Sequence, residues 1–342
     1  MSAMFADVGR ALVRAVTLEV QMGDMSDDKK PRCIVIGAGM AGLTAAHKLD
    51  DAGWAVTVLE KSRAIGGRLS TRSTDWGPID HGAQYATAKG KPFRALMTGL
   101  SNKGSVALWE PNGKDRDGEW HVGHGGMSHM LQPLADGLNI EFSTTATGVK
   151  STAGMASVSL DDGTSIQCEL CVIAAPSPQA QHLTGGADGP FPALSGVEYA
   201  PCYAGLFVFE RKLDLPDVVR PDGDIAWAAR CNSKPGGDGE LDRWVVHGSP
   251  DWSRQVLETG KTEMVEPMLD AFSASSETDL PSTLYARAHR WRYSLVETPL
   301  GEPFLLDPTG RMGVIGDGML GGRVEAAFES ARQFCDHIKT RG

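Results

Sequence analysis

The period of hydrophobic and polar positions changes several times along the chain, and each change marks an element. Cys33 to Ile36 is a short apolar run rich in β-branched residues, and Val56 to Leu59 is a second, closed by Glu60. Between them a helical pattern opens near Met40 and ends at Gly53, a natural terminator. Strand, glycine turn, helix and strand in that order predict the first βαβ unit of a parallel sheet. From Ser157 to Ala174 two extended segments are joined by Asp161, Asp162 and Gly163, with Pro176 and Pro178 ending the second. This predicts a β-meander beside the parallel sheet. Between residues 195 and 305, alternating runs (Ala204 to Phe209, Trp244 to His247, Leu284 to Tyr293) surround one helical stretch, Val256 to Phe272. That mixture predicts an α+β substrate domain. The end of the chain supplies a strand, Met312 to Ile315, and a helix whose apolar residues Val324, Ala327, Phe328, Ala331, Phe334, Cys335 and Ile338 recur at i, i+3, i+4 and i+7. One face of that helix is therefore buried.

Composition narrows the possibilities. A chain of 342 residues has room for about two domains. Its 33 basic and 43 acidic residues leave a charge of −10, the wrong sign for an electrostatic nucleic-acid binder. Glycine, at 41 residues and without a collagen period, implies many tight turns and close backbone approaches. Six scattered cysteines are too few for a disulfide framework and suit a reducing, cytoplasmic setting. No apolar stretch approaches the ~18 residues of a membrane span, so no membrane partner is expected. Arg10 and Arg14 precede the first strand, but Asp7, Glu19 and Asp24 do not fit a transit peptide and no secretory core is present. Residues 1–30 are expected to be a dispensable, disordered leader.

The glycines after the first strand carry the first chemistry. Gly37, Gly39 and Gly42 form GxGxxG: a turn, a close approach to pyrophosphate, and tight helix packing. Met40 and Ala41 lie at the helix N-terminus, where free N–H groups and the helix dipole favour phosphate. Glu60, 23 positions after Gly37 and followed by Lys61, is placed to accept from a ribose hydroxyl and would repel a 2′-phosphate. The adenosine half of the cofactor is thus that of FAD or NAD.

Gly66, Gly67 and Arg68, with Thr71 and Arg72, resemble the GGRxxTR box of the flavin amine-oxidase class of flavoproteins. Gly316 and Asp317, between the last strand and the last helix, resemble that class's second flavin box, whose Asp bonds the ribityl and phosphate end. A helix starting near Arg323 and Val324 would place its positive end by the flavin pyrimidine ring and favour the anionic reduced flavin. Further segments are Asp80 to Tyr85 (DHGAQY), Trp120 to Met127, Cys231 to Pro235 (CNSKP), Leu241 to Glu258, Ala288 to Tyr293 (AHRWRY) and Gly322 to Ala326. Together they resemble the renalase family over residues 31 to 338. The resemblance implies a p-hydroxybenzoate-hydroxylase-like α/β fold, with a Rossmann-like FAD-binding domain at 31–88, 119–180 and 306–342 and a substrate domain at 89–118 and 181–305. It implies non-covalent FAD, lined also by Gly82, Ala83, Gln84 and Val149. The activity implied is oxidation of 1,2-dihydro and 1,6-dihydro isomers of NAD(P)H to NAD(P)+, with O2 reduced to H2O2. Two positions depart from the family: Gly318 stands where a tryptophan usually follows Gly-Asp, and Ala86 where an aromatic is common after GAQY.

Hydride transfer from a dihydronicotinamide is driven by its own ring nitrogen, so the protein must chiefly align two rings and exclude water. Gln84 and Tyr85 lie in the matched box between FAD and the cavity. Along Arg287 to Tyr293 the period of two puts Arg287, His289, Trp291 and Tyr293 on one face and Arg290 and Arg292 on the other. The aromatic set suits stacking on a nicotinamide, with core packing of Trp291 and His289 as the other reading. His247, on an apolar strand, either bonds a nicotinamide carboxamide, flanks the flavin, or is a satisfied core residue; Asn232 is a further candidate. Arg72, Lys89, Lys91, Arg94, Arg287, Arg290 and Arg292 are candidates for holding an anionic dinucleotide. Cys168 and Cys171 are expected on opposite faces of one strand, which excludes a redox dithiol, and Cys335 falls on the buried helix stripe. No cysteine or histidine spacing suggests a metal. Two alternatives stay open: an amine oxidase or carotenoid-type desaturase of the same superfamily, disfavoured by the absence of lysine between Lys261 and Lys339, and a non-catalytic flavin-binding module.

Overall fold

The computed structural model describes residues 30–114, 117–237, 239 and 241–340. Of the expected leader at 1–30, residues 1–29 lie outside the described residues.

The predicted βαβ unit forms β1 (Arg32–Ile36), α1 (Met40–Asp51) and β2 (Ala55–Glu60). Its glycines act as the spacing requires. Gly37 has φ +106°, and a Cβ on Gly42 would lie 1.9 Å from the Gly37 carbonyl oxygen, so only glycine lets α1 close on the turn. Helix α2 (Lys91–Asn102) follows, its Phe93 meeting Phe328 of the last helix at 5.3 Å between ring centroids. Strands β3 (Asn139–Phe142), β4 (Ala146–Ser151), β5 (Ala156–Leu160), β6 (Ser165–Cys168) and β7 (Leu170–Ile173) come next.

The hairpin at Asp161–Gly163 joins β5 to β6, and β4, β5 and β6 form the three-stranded meander. The second extended segment is not one strand. At Glu169 the chain leaves the meander, because the Glu169 N–H donates to the Arg32 carbonyl and its carboxylate accepts from the Arg32 N–H, and β7 continues beside β1 in the parallel sheet. Cys168 and Cys171 therefore sit on different strands and not on two faces of one; both are buried in one apolar cluster as free thiols, pushed upward by burial, Cys168 to about 11.

The substrate-side sheet is built from β8 (Glu198–Phe209), β9 (Ile225–Arg230), β10 (Asp242–Gly248) and β11 (Thr283–Thr298), with Val218–Val219 at its edge. Its order is Val218–Val219, β9, β10, β8, β11, all antiparallel. The single helix expected at Val256 to Phe272 is instead two, α3 (Pro250–Gln255) and α4 (Val265–Ser276). Pro267 explains the break: proline lacks an N–H and fits only the first turn of a helix, and the Gly260 N–H turns back to the Glu263 carboxylate. Tyr203, Phe207, Trp244 and Val246 on one face of the sheet pack with Met268 and Phe272 of α4.

The last strands, β12 (Leu305–Leu306) and β13 (Met312–Val314), complete a six-stranded sheet in the order β12, β13, β7, β1, β2, β3, parallel except at the β12 edge. Helix α5 (Val324–Lys339) buries Phe328, Ala331, Phe334 and Cys335 on the predicted stripe, with Val324, Ala327 and Ile338 partly buried against the same core. The fold is the expected α/β class, a Rossmann-like parallel sheet with a meander and an adjoining α+β part. No helix among the described residues is long and apolar enough to cross a membrane.

Gly42→Ala is expected to cost at least about 1–3 kcal/mol through overpacking against backbone and to lower flavin retention. Gly53→Ala, where φ is +91° but a Cβ meets nothing within 4 Å, should cost only about 1 kcal/mol of backbone strain. Thermal denaturation and the flavin-to-protein absorbance ratio check both; equal effects would contradict the packing argument.

Candidate active site

The dinucleotide cradle is made of backbone. Gly39 caps α1 without any side-chain bond to the first turn, so the N–H groups at Met40 and Ala41 meet no capping side chain. The Gly66 N–H donates to the Ala38 carbonyl at 2.9 Å, and a Cβ on Gly67 would sit 3.3 Å from the Gly39 Cα. The two glycine boxes thus touch. Glu60 is buried, and its carboxylate accepts from the Ala38 and Ser62 N–H groups, each at 2.8 Å. Two of its roughly four lone-pair directions remain for a ribose hydroxyl. Lys61 is exposed beside it. Val149, on β4, pairs with Val158 and is buried.

The second half comes from the far end of the chain. Asp317 opens a one-turn helix, Asp317–Leu320, and its carboxylate is paired with the Arg68 guanidinium. The Gly316 N–H donates to Ser330 Oγ at 2.9 Å, and a Cβ there would meet nothing within 4 Å. Arg323 caps α5 and Val324 is its first residue. An uncapped helix end, glycines open toward it, and acceptors at Glu60 and Asp317 fit FAD. Gly82 and Ala83 close against this wall: the Ala83 N–H donates to the Arg68 carbonyl at 2.8 Å, and a Cβ on Gly82 would lie 2.1 Å from that oxygen.

Gly318 also has a structural reason. A Cβ there would lie 2.4 Å from Tyr199 Oη and 2.6 Å from Ser177 Oγ. The space beside the second flavin box is filled by the Tyr199 hydroxyl, which accepts from the Ser177 N–H. Burial, reinforced by the Asp317 charge, raises the Tyr199 pKa and keeps that hydroxyl protonated. Tyr293 meets the Tyr199 ring edge-on at 5.8 Å.

The substrate-side sheet turns its other face to the glycine boxes. Register places Trp227 opposite His247, His247 opposite Ala204, and Ala204 opposite His289, so one row crosses four neighbouring strands on one face. His81, just before Gly82, lies over the end of this row. Its ring is 4.6 Å from that of His289 and is stacked on Trp291 at 5.3 Å and 21°. Trp291 Nε1 donates to the His81 carbonyl at 2.7 Å.

All three imidazoles are held neutral. Burial, then His289 and Arg72, lowers His81 to about 3; burial and Lys234 lower His247 to about 4; burial, Lys261 and Arg72 lower His289 to about 4. Burial is the chief cause for each ring, and at His81 the Asp80 carboxylate opposes the nearby cations. Among the described residues no group of His, Cys, Asp or Glu is placed to hold a metal ion.

Several predicted residues are used otherwise. Gln84 Nε2 donates to the Asp80 and Gly82 carbonyls, and its Oε1 accepts from Lys234 Nζ at 2.9 Å. Its amide therefore braces the loop. Tyr85 stacks on Trp120 at 4.0 Å and 3°, beside Trp227. Asn232 is occupied by the backbone of Gly239, Leu241 and Arg243. Arg292 pairs with Glu258, and Arg290 donates to the Leu257 carbonyl, both away from the histidine row. Cys335 is packed, its thiol pushed up to about 12 by burial.

Sequence reasoning passed over His81, Lys234, Trp227 and Tyr199. Lys234 is the most telling. Its ammonium is buried and bonds Asp80 Oδ2 at 2.8 Å, while Asp80 Oδ1 accepts from Met127 N–H at 2.8 Å and Thr71 Oγ1 at 2.6 Å. The DHGAQY and CNSKP segments both resemble one family, and an acid in one with a lysine in the other was the available signal.

A Rossmann-like sheet with two glycine boxes converging on one cradle defines a dinucleotide-binding fold. Residues 102–339 match the family described as flavin containing amine oxidoreductase, and residues 35–100 match an NAD(P)-binding Rossmann-like domain. The chain belongs to the flavin-containing amine oxidoreductase family, and its cofactor is FAD. It is similar to the L-amino-acid oxidase of Crotalus adamanteus, 48% identical over 61 residues, which are 17% of this chain and 12% of that enzyme. It is also similar to the phytoene desaturase of Cercospora nicotianae, 38% identical over 91 residues, 25% and 15% of the two chains. The matches thus span less than a fifth of these relatives. Among solved structures, cyclohexylamine oxidase from Brevibacterium oxydans superposes with a TM-score of 0.72 at 13% identity, covering 91% of this chain and 99% of that one.

Asp80→Asn or Lys234→Met leaves one member of a buried pair without its countercharge, and each is expected to cost about 3–5 kcal/mol in denaturant unfolding. A loss near zero for both would mean the pair contributes little. The depressed histidines set a pH window: the unfolded chain binds protons below about pH 6.5 that the folded rings refuse until about pH 4. Stability should therefore fall as pH drops through that window. His247→Gln should flatten the fall in thermal midpoint, and an unchanged slope would contradict the assignment.

Proposed function

We propose that the protein is an FAD-dependent oxidase of the renalase type, acting on the 1,2-dihydro and 1,6-dihydro isomers of NAD(P)H. The observation that carries this reading is the row of neutral imidazoles and aromatic rings, His247, His289, His81 and Trp291, on the sheet face beside the glycine boxes. Arg72 and Lys261 act on His81 and His289, and Lys234 on His247. Arg72 and Lys261 are the cations near His81 and His289 that suit a ligand bearing phosphates. In balance, the dihydronicotinamide dinucleotide, O2 and one proton give NAD(P)+ and H2O2.

FAD, held by the glycine boxes, Glu60 and Asp317, would supply the hydride acceptor and the two-electron route to O2. The chain supplies position. Trp291 and His289, both partly exposed, are the rings offered for stacking with a nicotinamide; buried His81 backs Trp291, which is also held through its bond to the His81 carbonyl. No residue has to take a proton from carbon, which suits imidazoles too weakly basic to be protonated at neutral pH. Asp80, Lys234 and Gln84 stand behind the rings as a buried support.

The test is anaerobic mixing of the oxidised holoprotein with the dihydronicotinamide isomers, ordinary NADH and a panel of amines and amino acids. Rapid flavin bleaching by the isomers alone is the expected result. Bleaching by amines alone would replace this reading with amine oxidation, and bleaching by nothing would leave a flavin-binding module. Trp291→Ala should slow reduction by the isomers on the order of 10²-fold through lost alignment while FAD stays bound; an unchanged rate would remove Trp291 from the site.

A further inference from the structure

The two longest strands among the described residues, β8 and β11, pair in step over most of their length, from Cys202 opposite Trp291 to Val208 opposite Tyr285. Before Cys202 the register jumps. Ala200 lies opposite Leu295, so that Pro201 alone faces Arg292, Tyr293 and Ser294. Proline has no N–H to give the ladder, and the pairing opens at this point. A second shift follows between Tyr199 and Glu198. Irregularities of this kind bend a strand and re-aim its side chains, and they gather beside functional sites.

The residues freed from the ladder meet the second flavin box. The Ser294 carbonyl accepts from Arg68 Nη1 at 3.4 Å, and Tyr293 packs edge-on against Tyr199 at 5.8 Å between ring centroids. The centre of the Tyr199 ring lies 5.8 Å from the Arg68 guanidinium carbon, within cation–π reach. Tyr199 is itself fixed at its far end: its hydroxyl accepts from the Ser177 N–H at 3.2 Å and lies 3.3 Å from Ser177 Oγ, in the space that Gly318 leaves open. Arg68 Nη2 is paired with the Asp317 carboxylate. A guanidinium is a planar fork, so its bonds depend on one orientation of that plane. Asp317 takes one arm of the fork, Ser294 takes the other, and the Tyr199 ring stands beside it.

We propose that Tyr199 is a positioning residue for the cofactor: together with the Ser294 carbonyl that the irregular pairing releases, its ring holds Arg68 against Asp317 and thereby sets how tightly FAD is bound. The role rests on Arg68 and Asp317 as parts of the flavin site and is independent of which substrate is oxidised. It also gives the broken pairing of β8 and β11 a purpose. Ser294 follows Trp291 by three positions, so the strand that carries Trp291 and His289 braces the cofactor pair as well.

The test reads cofactor affinity and needs no substrate. Holoprotein is diluted, the flavin fluorescence that appears on release gives the FAD dissociation constant, and the thermal midpoint is recorded in parallel. Tyr199→Leu should weaken FAD binding on the order of 10-fold, the scale of a partly desolvated cation–π contact. Tyr199→Phe, which keeps the ring, should retain most of the affinity. In an Arg68→Lys background Tyr199→Leu should add little, because the two residues act as one unit. Losses that simply add, or a Tyr199→Leu protein with a lowered thermal midpoint and the wild-type FAD constant, would reduce Tyr199 to packing and overturn the proposal. Asp317→Asn locates the failure. If it leaves the affinity unchanged, the second flavin box is misassigned and the proposal falls with it; if it weakens binding while Tyr199→Leu does not, the positioning role alone falls. Should Tyr199→Leu fail to fold, Gly318→Ala takes its place: the added Cβ would displace the Tyr199 hydroxyl and should weaken FAD binding, and adding Tyr199→Phe should restore it. A double variant no better than Gly318→Ala alone would overturn the proposal.

Discussion

The carboxylate of Asp80 is the tie on which the site depends. One oxygen takes the Met127 N–H and the Thr71 hydroxyl, and the other takes the ammonium of Lys234. Three stretches of chain far apart in sequence are thereby held at one point, in a setting where neither charge reaches water. A buried pair of this kind gains little over apolar packing in free energy, but it cannot be satisfied in any other arrangement. Its value lies in specifying one position for the loop that carries His81, Gly82 and Ala83.

From that tie the rest of the chemistry follows by geometry. Gly82 can rest on the Arg68 backbone because it has no side chain, which brings the loop against the glycine boxes. His81, one residue earlier, is then delivered to the row of side chains crossing the substrate-side sheet. The same burial that orders these rings removes their charge, so the recess is polar without being ionised. Arg72 and Lys261 add to the effect of burial on His81 and His289, while the charge of Lys234 is balanced by Asp80.

The parts legible in the sequence are those whose partners are near in sequence. Gly37 to Glu60 spells out a complete βαβ unit, because the turn, the helix end and the acid closing the second strand are fixed by spacing alone. The stripe on α5 was equally readable from its period. What escaped depends on register or on partners far along the chain. The split between β6 and β7 is decided by Glu169 meeting Arg32, and nothing in the local alternation marks it. The break between α3 and α4 did have a local sign in Pro267. Trp227, His247, Ala204 and His289 fall in one row only because three strand pairs adopt particular registers, which a single sequence does not disclose. His81 stood inside a recognised segment but was overshadowed by the glycine and glutamine next to it, and Lys234 is meaningful only once Asp80 is beside it.

The contact between Gly318 and Tyr199 makes these two positions one steric unit. The hydroxyl of Tyr199 stands where any side chain at 318 would begin, and Ser177 holds it there. A bulky ring after the Gly-Asp pair and a tyrosine on β8 are therefore mutually exclusive tenants of the same space. A redesign that enlarges position 318 without shrinking or turning away Tyr199 would therefore drive two groups into one space.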